Sequence, residues 1–437
     1  MATIIAKRGT KASLIIRDAR AFDPAAGVDK RADVIIDKGK ITGIAAAGKG
    51  QAAGAETVDA AGRLLLPGFV DLHAHLRAPG REDEEDIASG TAAAAAGGYV
   101  AICAMPNTDP VVDNASVLAS LIEIAESEAL VRVAFLGSIS RGQEGTRLSD
   151  MWDMAVAGAV AFSDDGRPVV DGGLLRAAFQ AARLSGLPLS LHCEDSGLAA
   201  GAVMNEGEVS ARLGLAGIPA AAEVAAVARD LEIAAYEGGR GHIAHISCAR
   251  TLELIAAAKQ AGAEVTSEVT PHHLTLTDSD VEALDSNFKM NPPLRTGEDR
   301  RALVAALAEG VIDCVATDHA PHASHEKETP FEEAPFGVVG LETAFPVLYT
   351  ALVESGEVPL DKLIMAMSTS PAKIYGLPVP SLTKGEEANL CLVDIEEEFE
   401  IVPARFLSKS RNTPFAGRKV KGQVQMTIAA GRVAFKV

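Results

Sequence analysis

The chain has 437 residues, of which 48% are hydrophobic but only 4% aromatic, so its core must use Ala, Val, Ile and Leu, which favours α/β packing. Its 59 acidic and 40 basic residues give a formal net charge of −19, which disfavours nucleic-acid and anionic membrane partners. An anionic small substrate would therefore need local positive charge from a metal ion or a suitably placed arginine.

The cysteine pattern and the N-terminal sequence bear on where the protein resides. The 5 cysteines stand far apart, form no CxxC pair and cannot all pair, which is typical of a reducing compartment. The N-terminal MATIIAKRGTKASLIIRDAR interrupts its apolar stretches with charge too early for a signal peptide. The Ala-rich run Thr91–Pro106 is shorter than a membrane span. We therefore expect a cytoplasmic protein.

Both ends of the chain predict short strands and turns. Residues 1–66 contain the strand-like segments SLIIRDARAF, ADVIIDKGKITGI and ETVDAAGR, and residues 379–437 contain NLCLVDIE and MTIAAGRVAFKV. Neither end could bury enough apolar surface alone. The two ends are therefore expected to pair into one small composite β-sandwich.

Between these ends, residues 67–378 repeat a unit in which a short apolar segment ends in polar residues and an Ala-rich helical stretch follows. The strand-like segments are GFVDLHAHLR, YVAICAMPNT, VRVAFLGSIS, AVAFSDDG, LPLSLHCED, GHIAHIS, EVTSEVTPHH and VIDCVATDHAPH. Helical runs between them include Asp83–Ala96, Gly172–Ser185 and Ala221–Tyr236. Because eight such units close a barrel, the predicted fold is α/β, a (β/α)8 TIM-like barrel. A doubly wound open sheet would give a similar alternation and is the alternative.

Histidines at the predicted strand ends indicate a metal site, because strand ends of a barrel meet at one face. His73 and His75 are two residues apart on the first strand, so both imidazoles project to one face and can bind one cation. His192 ends strand five and His245 ends strand six, where neutral imidazoles could bind a second ion. His242, at the start of strand six, is better explained as a hydrogen-bonded core histidine.

Carboxylates complete this candidate site. SDDG at the end of strand four offers a bridge between two ions, but Asp164 and Asp165 face opposite ways, and parity does not say which points inward. Asp318 ends strand eight, where a neighbouring cation would keep it ionised, and it is the candidate general base. A helix N-cap is the alternative for Asp318. The acidic stretches Glu82–Asp86 and Glu396–Glu398 are interpreted as solvated faces.

The sequence has no GxSxG elbow, no GxxxxGK[ST] loop and no GxGxxG motif after a strand, which disfavours serine hydrolases, nucleotide-binding proteins and dehydrogenases. Long motifs across essentially the whole chain instead resemble the class I dihydroorotases of the amidohydrolase superfamily. These motifs are PGFVDLHAHLRAPG, AMPNTDP, AFSDDG, HCED, HISCA, EVTPHHL, FKMNPPLR, ATDHAPH, APFGVVGLETAFP and SKSRNTPFAGRKVKG. The resemblance implies a zinc-dependent cyclic amide hydrolase that reversibly cyclises N-carbamoyl-L-aspartate to (S)-dihydroorotate in de novo pyrimidine biosynthesis.

The resemblance also implies roles for individual residues. His73 and His75 would bind one zinc ion and His192 and His245 a second, with Asp165 as the bridge and Asp318 as both ligand and acid/base. AFSDDG lacks the lysine that hydantoinases carry as a bridge, so the number of zinc ions stays open between one and two per subunit. The substrate-binding residues would be Arg77, Asn107 and His322 at the carboxylate, and Asn291 with the backbone of Phe336 and Gly337 at the ring amides.

Two alternatives to a dihydroorotase remain open at this stage. One is an allantoinase or hydantoinase, although allantoinase-like enzymes tend to have Asn where Arg77 stands. The other is a catalytically inactive dihydroorotase-like subunit that scaffolds aspartate transcarbamoylase, which the intact ligand set argues against. We further expect a homo-oligomer, with association with aspartate transcarbamoylase left open. The segment His322–Phe336, with Gly337 as a hinge, is a candidate lid.

Overall fold

The structure is a computed structural model that describes residues 9–437. Its strands in chain order are β1 Leu14–Asp23, β2 Val28–Asp37, β3 Lys40–Ala46, β4 Glu56–Asp59, β5 Leu64–Pro67, β6 Phe69–Ala74, β7 Tyr99–Ala104, β8 Arg132–Gly137, β9 Ala161–Phe162, β10 Leu189–Leu191, β11 Met204–Asn205, β12 Gly217–Ile218, β13 Gly241–Ile243, β14 Val265–Val269, β15 Cys314–Val315, β16 Leu390–Asp394, β17 Phe399–Glu400, β18 Lys419–Val420, β19 Gln423–Ala429 and β20 Arg432–Lys436.

The α-helices in chain order are α1 Ile87–Ala96, α2 Ala115–Glu128, α3 Met151–Ala157, α4 Gly172–Ser185, α5 Ser196–Ala199, α6 Glu208–Leu213, α7 Ala220–Glu237, α8 Ala249–Gln260, α9 Pro271–Thr275, α10 Gly297–Glu309, α11 Ser324–Lys327, α12 Ala344–Leu348, α13 Leu360–Ile364 and α14 Ser370–Ile374. Short 3-10 turns lie at Arg141–Gln143, Asp278–Ala283, Ser286–Phe288 and Pro403–Arg405, and π-helical turns at Tyr349–Val353 and Met365–Thr369.

The central part of the described chain is a barrel of 8 parallel strands in the order β6-β7-β8-β9-β10-β13-β14-β15. Its first and last strands meet just beyond β15, where Ala74 forms a bridge with His319 and the His75 N–H donates to the His319 carbonyl at 2.8 Å. Helices α1, α2, α3, α4, α7, α8 and α10 follow the first seven strands in turn. The predicted (β/α)8 barrel is thus confirmed, and each of the predicted strand-like segments contains one barrel strand.

Alanine explains how this barrel packs with so few aromatic residues. Helix α1 buries Ala93, Ala94 and Ala95, and these small side chains let its backbone approach the strands closely. At its C-terminus, the Cα of Gly97 lies so near the backbone of Leu341 that an added Cβ would come within 1.9 Å of that carbonyl oxygen. Close contact of α1 with the strands and with the loop after β15 therefore requires small residues at these positions.

The two ends of the described chain join in a second sheet of 8 strands, ordered β20-β19-β16-β5-β1-β2-β3, with β4 alongside β1. Strand β16 from the C-terminal part pairs antiparallel with β5 from the N-terminal part. Residues from distant positions in this order, such as Ile41 and Ile428, share one buried cluster, so the sheet folds over a core of its own. This is the composite β module that the sequence predicted.

The boundary between the modules lies near Gly68, because β5 belongs to the terminal sheet and β6 to the barrel. The division into residues 1–66, 67–378 and 379–437 stays a prediction, and residues 1–8 of the first segment lie outside the described part. Within residues 9–437, no helix combines the length and apolarity that a membrane-spanning helix needs.

We predict that Gly97→Ala lowers the free energy of unfolding by about 2 kcal/mol or more, because the new methyl group would force the Leu341 backbone to move. The matched control is Gly172→Ala at the start of α4, where an added Cβ would meet Ile233 Cδ1 at an ordinary 3.6 Å. That change should cost less than about 0.5 kcal/mol. Chemical denaturation of both variants measures the difference, and equal stability would contradict the close approach.

Candidate active site

The predicted metal ligands meet at the carboxyl ends of the barrel strands. Each comes from the end of a strand or from the residues directly after it, and their side chains are buried, with residue exposures between 0% and 7%. They are His73 of β6, His75 after β6, Asp165 after β9, His192 after β10, His245 after β13 and Asp318 after β15. The fold therefore brings together residues that are up to 245 positions apart in the sequence.

Asp165 lies between two pairs of histidines. Its Oδ1 is 3.3 Å from His73 Nε2, and its Oδ2 is 3.5 Å from His75 Nε2. On the other side, Oδ1 is 3.4 Å from His245 Nε2 and 3.5 Å from His192 Nδ1, and these two nitrogens are 2.9 Å apart. One carboxylate thus faces both candidate pairs, which is the geometry of a bridging ligand.

The structure also shows which aspartate of SDDG faces the centre. Asp164 turns away from it and accepts hydrogen bonds from the backbone N–H of Ile139 at 2.8 Å and of Ser140 at 3.1 Å. It also accepts one from the Ser140 hydroxyl. Asp164 therefore fixes the loop after β8, while its neighbour points into the barrel mouth.

Asp318 lies beside the first histidine pair. Its Oδ1 is 3.2 Å from His75 Nε2 and 3.5 Å from His73 Nε2. Burial favours the neutral acid, yet the positive charge of His73 and the hydrogen bond with His75 outweigh it and lower the pKa of Asp318 to about 2. Asp318 is therefore an ionised carboxylate, and the N-cap alternative does not describe its contacts.

Three of the site residues hold their backbone in the left-handed region although they are not glycines. The φ angles are +55° at Arg77, +29° at His245 and +48° at Asp318. Such conformations cost about 1–3 kcal/mol each and persist where surrounding contacts impose them, often at functional sites. The strand ends are thus bent so that these side chains enter the same space.

The donor atoms fit divalent metal ions. His73, His75 and Asp165 offer ligand atoms within 4.8 Å of one another, and so do Asp165, His192 and His245. His73 Nε2 is buried without a hydrogen-bond partner, which is rare for a polar atom unless an ion or water binds it. Burial lowers the pKa of His73, but the charges of Asp165, Glu268 and Asp318 raise it well above its usual value. The site therefore attracts positive charge, and its mixture of imidazole and carboxylate ligands suits zinc.

The other ring nitrogens of the first pair are fixed by hydrogen bonds. Glu268 Oε1 is 2.7 Å from His73 Nδ1, and Asn107 Oδ1 is 2.9 Å from His75 Nδ1. Both oxygens only accept, so each imidazole carries its proton on Nδ1 and turns Nε2 towards the centre. Asn107, which the sequence predicted as a substrate ligand, also lines the cavity described next.

An open cavity of about 220 Å³ leads to the predicted ligands, and all six predicted substrate-binding residues line it. The Asn291 amide donates to Glu194 Oε2 at 2.9 Å, while its Oδ1 is buried without a partner and is available as an acceptor. The Gly337 N–H already donates to the Lys289 carbonyl, and the Phe336 carbonyl is 2.8 Å from His322 Nε2. The carbonyls of Phe336 and Gly337 each accept one hydrogen bond and keep a second lone pair that could accept from a ring amide. The Gly337 N–H, in contrast, is already used.

The interpretation of Glu82–Asp86 as a solvated face is wrong for its middle residues, because Glu84 and Glu85 are only 2% and 0% exposed. Glu85 Oε2 is 3.3 Å from His319 Nε2, and Glu85 also accepts a hydrogen bond from the Ser408 hydroxyl. Asp86 caps helix α1, which begins at Ile87 and not at Asp83 as predicted. Charge alone misled the prediction, since Glu85 is buried against His319 and Ser408, which stand far away in the sequence. Glu396–Glu398 is exposed as expected.

Glu84 contacts the basic side chains Arg77, Arg81 and His322 at one side of the cavity. Its Oε2 is 3.0 Å from Arg77 Nε, and its Oε1 is 3.0 Å from Arg81 Nη2 and 3.2 Å from His322 Nδ1. The His322 ring lies between this carboxylate and the Phe336 carbonyl, which is 2.8 Å from its Nε2. Arg77 Nη2 is 3.4 Å from the same ring nitrogen, so the imidazole lies directly beside the guanidinium.

Asn412, from the C-terminal part of the chain, holds three residues on the same side of the cavity in place. Its Nδ2 donates to the carbonyls of Ala320 at 3.0 Å and Gly337 at 3.1 Å, and its Oδ1 accepts from the His322 N–H at 3.2 Å. Sequence reasoning did not assign roles to Glu84, Glu268 or Asn412. Glu268 could have been found from the sequence, because a carboxylate in the middle of the apolar strand before TPHH is unusual. For Asn412 the only sequence signal was its place in the motif SKSRNTPFAGRKVKG.

The predicted lid, His322–Phe336, is tied to the body of the protein by Lys289. Lys289 Nζ donates to the carbonyls of Phe331 at 2.7 Å and Glu332 at 2.9 Å. Within the segment itself, Lys327 Nζ donates to the Pro335 carbonyl at 2.9 Å. Gly337 has a φ of +128°, a conformation that side chains rarely adopt, so it suits a hinge. Closure of this segment stays a prediction.

Comparisons of the sequence with known proteins agree with this geometry. A family model described as Dihydro-orotase-like matches residues 62–251. The chain is 47% identical over 423 residues to the Dihydroorotase of Pelotomaculum thermopropionicum, covering 97% of this chain and 98% of that protein. It is also 47% identical over 422 residues to the Dihydroorotase of Anaeromyxobacter dehalogenans, covering 96% and 97%.

Solved structures with the same fold are cyclic-amide hydrolases. The L-hydantoinase (dihydropyrimidinase) from Arthrobacter aurescens matches with a TM-score of 0.87 at 27% identity, covering 97% of this chain and 96% of that one. A dihydropyrimidinase from Brevibacillus agri matches with a TM-score of 0.85 at 24% identity, which shows the fold alone. Since sequence similarity extends over nearly the full length of dihydroorotases and the barrel presents clustered potential metal ligands, the chain belongs to the dihydroorotase family of metal-dependent cyclic amide hydrolases in the amidohydrolase superfamily.

Proposed function

We propose that this dihydroorotase interconverts N-carbamoyl-L-aspartate and (S)-dihydroorotate at a zinc centre. His73 and His75 would hold one ion, His192 and His245 a second, and Asp165 would bridge them. The observation that carries the proposal is the position of Asp165, whose oxygens lie 3.3–3.5 Å from a nitrogen of every one of these histidines. One or two zinc ions per subunit are compatible with this ligand set.

When bound, the ions supply Lewis-acid polarisation of the reacting carbonyl and make water a stronger acid. Asp318 performs the proton transfers. In ring opening it accepts a proton from the attacking water and delivers it to the ring nitrogen as the carbon–nitrogen bond breaks. In ring closure it takes the proton from the ureido nitrogen and returns it to the departing oxygen. The lowered pKa of Asp318 keeps its carboxylate ionised but weakly basic, so proton transfer to it depends on the more acidic water that a bound ion would supply.

Arg77 and His322 would bind the carboxylate of the substrate. Both side chains line the cavity, and Arg77 offers a planar guanidinium that can donate two parallel hydrogen bonds. Asn291 Oδ1, buried and unpaired, would accept from a ring N–H. This arrangement supplies the local positive charge that a chain with a net charge of −19 needs for an anionic substrate.

We also carry three broader expectations as proposals. All 5 cysteines are buried and free, which supports a reducing, cytoplasmic location. The net charge of −19 supports a small-molecule substrate with neither nucleic acid nor membrane as a partner. The third expectation is that the protein forms a homo-oligomer, either alone or in association with aspartate transcarbamoylase.

Removal of the metal tests the proposed function. A chelator should abolish both ring opening and ring closure, and added zinc should restore them, because the carbonyl is no longer polarised without an ion. Elemental analysis before and after chelation should show the corresponding loss of zinc. Full activity in protein freed of metal would contradict the proposal.

The two neighbouring aspartates provide a matched pair for the same measurement. Asp165→Asn should lower the zinc content, whereas Asp164→Asn should retain it, since Asp164 bonds only to the loop after β8 in the contacts described above. Equal zinc content in both variants would exclude Asp165 as a bridge.

Arg77 should determine selectivity for a substrate that carries a carboxylate. We expect Arg77→Gln to lower kcat/KM for dihydroorotate by about 100-fold. This factor corresponds to the loss of about 3 kcal/mol, the strength of a charge-assisted contact. Its activity on dihydrouracil and hydantoin, which lack that carboxylate, should not fall in parallel. The measurement compares kcat/KM of the wild-type protein and of Arg77→Gln on all three cyclic substrates. A parallel loss of activity on every substrate would favour the hydantoinase alternative or a structural role for Arg77.

A further inference from the structure

Glu268 lies directly behind the metal ligands, and none of the proposed catalytic steps uses it. It belongs to β14 and is 0% exposed. Its Oε1 is 2.7 Å from His73 Nδ1 and 3.3 Å from the backbone nitrogen of His245, and its Oε2 is 3.0 Å from His242 Nε2. One buried carboxylate thus contacts residues from both proposed metal-binding pairs.

The contact with His73 decides which nitrogen can bind a cation. A carboxylate accepts hydrogen bonds only, so the proton of a neutral His73 ring stays on Nδ1. The lone pair on Nε2 then points towards Asp165 Oδ1 at 3.3 Å and Asp318 Oδ1 at 3.5 Å. Two negative oxygens facing a lone pair repel it unless a proton on Nε2 or a metal ion lies between them. Glu268 therefore prepares His73 as a ligand.

The contact with His245 acts on the backbone. The φ of His245 is +29°, in a region that a residue with a side chain rarely adopts. The hydrogen bond from its N–H to Glu268 Oε1 is one of the contacts that impose this conformation. It places the His245 ring with Nε2 at 3.4 Å from Asp165 Oδ1.

His242 holds the carboxylate itself in place. Its Nε2 is 3.0 Å from Glu268 Oε2, and its Nδ1 is 2.8 Å from the Thr266 hydroxyl. The core histidine that the sequence predicted is therefore present, but it also fixes the rotation of Glu268. Both oxygens of the Glu268 carboxylate therefore have a histidine nitrogen within hydrogen-bond distance.

We propose that Glu268 is the positioning residue of the metal centre, because it selects Nε2 of His73 as the ligand atom and fixes the backbone that carries His245. It couples the two halves of the centre without touching substrate. This inference rests on the proposed function of the centre as a divalent-metal site.

Glu268→Gln tests the inference because it keeps the shape but removes the charge. The amide has one accepting oxygen, so its NH2 group faces either the His73 Nδ1–H donor or His242 Nε2, and in the second case His242 must carry its proton on Nδ1 towards the Thr266 hydroxyl. We expect zinc affinity, measured by competition with a chromogenic chelator, to fall about 10- to 100-fold. The visible absorption bands of the cobalt-substituted protein should also shift, because the orientation of the His73 ring changes.

Asp33→Asn is the matched control. Asp33 is also 0% exposed, lies in the terminal sheet and accepts from the backbone nitrogens of Asp18, Gly48 and Gly50. It should lower stability without changing zinc affinity or the cobalt spectrum. If Glu268→Gln does not fold, His242→Gln replaces it, since that change loosens Glu268 but keeps its charge, and zinc affinity should fall several-fold.

The outcomes separate the inference from the function on which it rests. Wild-type protein that binds zinc, together with a Glu268 or His242 variant of unchanged affinity and cobalt spectrum, would overturn the inference and leave the proposed function intact. Wild-type protein that binds no zinc would overturn the proposed function and the inference with it. Weaker binding in the variant but not in Asp33→Asn supports the inference.

Discussion

Buried carboxylates that face the lone pairs of buried imidazoles need a cation between them, and the centre of this protein depends on that requirement. Asp165 and Asp318 lie within 3.5 Å of His73 and His75 nitrogens, in a space where water cannot screen their charge. A barrel supplies this crowding because its strands end at one face, so side chains from distant parts of the sequence converge. Left-handed backbone at His245 and Asp318 shows that the fold bends locally to complete the cluster.

Charge is arranged in two zones around this centre. Deep in the barrel, Glu268 and the aspartates make a negative environment that suits metal ions, and at the cavity wall the guanidinium of Arg77, beside His322, makes a positive one that suits a carboxylate. Glu84 keeps Arg77 and His322 in place, since its carboxylate lies within 3.2 Å of both. The C-terminal segment supports the wall, since Asn412 ties Ala320, His322 and Gly337 together. The C-terminal segment between β17 and β18 and the barrel therefore contribute jointly to the site, although all the proposed metal ligands come from the barrel.

The sequence predicted the parts that periodicity and spacing control, and it missed the parts that depend on long-range packing. Strand ends of a βα repeat must meet, so His73, His192 and Asp318 could be assigned to one site. Alternation along a strand could not distinguish Asp164 from Asp165, because that choice depends on which backbone amides the loop after β8 presents. Glu84 was interpreted as solvated because it stands in an acidic run, and only the closed barrel brings His322 to the carboxylate that also contacts Arg77. Asn412 gave no local signal, since its three partners lie 75 to 92 residues away.

The central claim is that one carboxylate, Asp165, lies between metal ions bound by two pairs of histidines. Anomalous diffraction at the zinc absorption edge, from crystals of the zinc-loaded protein, tests it most directly. The account predicts anomalous density in contact with the Asp165 carboxylate, with imidazole nitrogens of His73 and His75 or of His192 and His245 around it. Zinc bound elsewhere, with no anomalous density beside Asp165, would contradict the account.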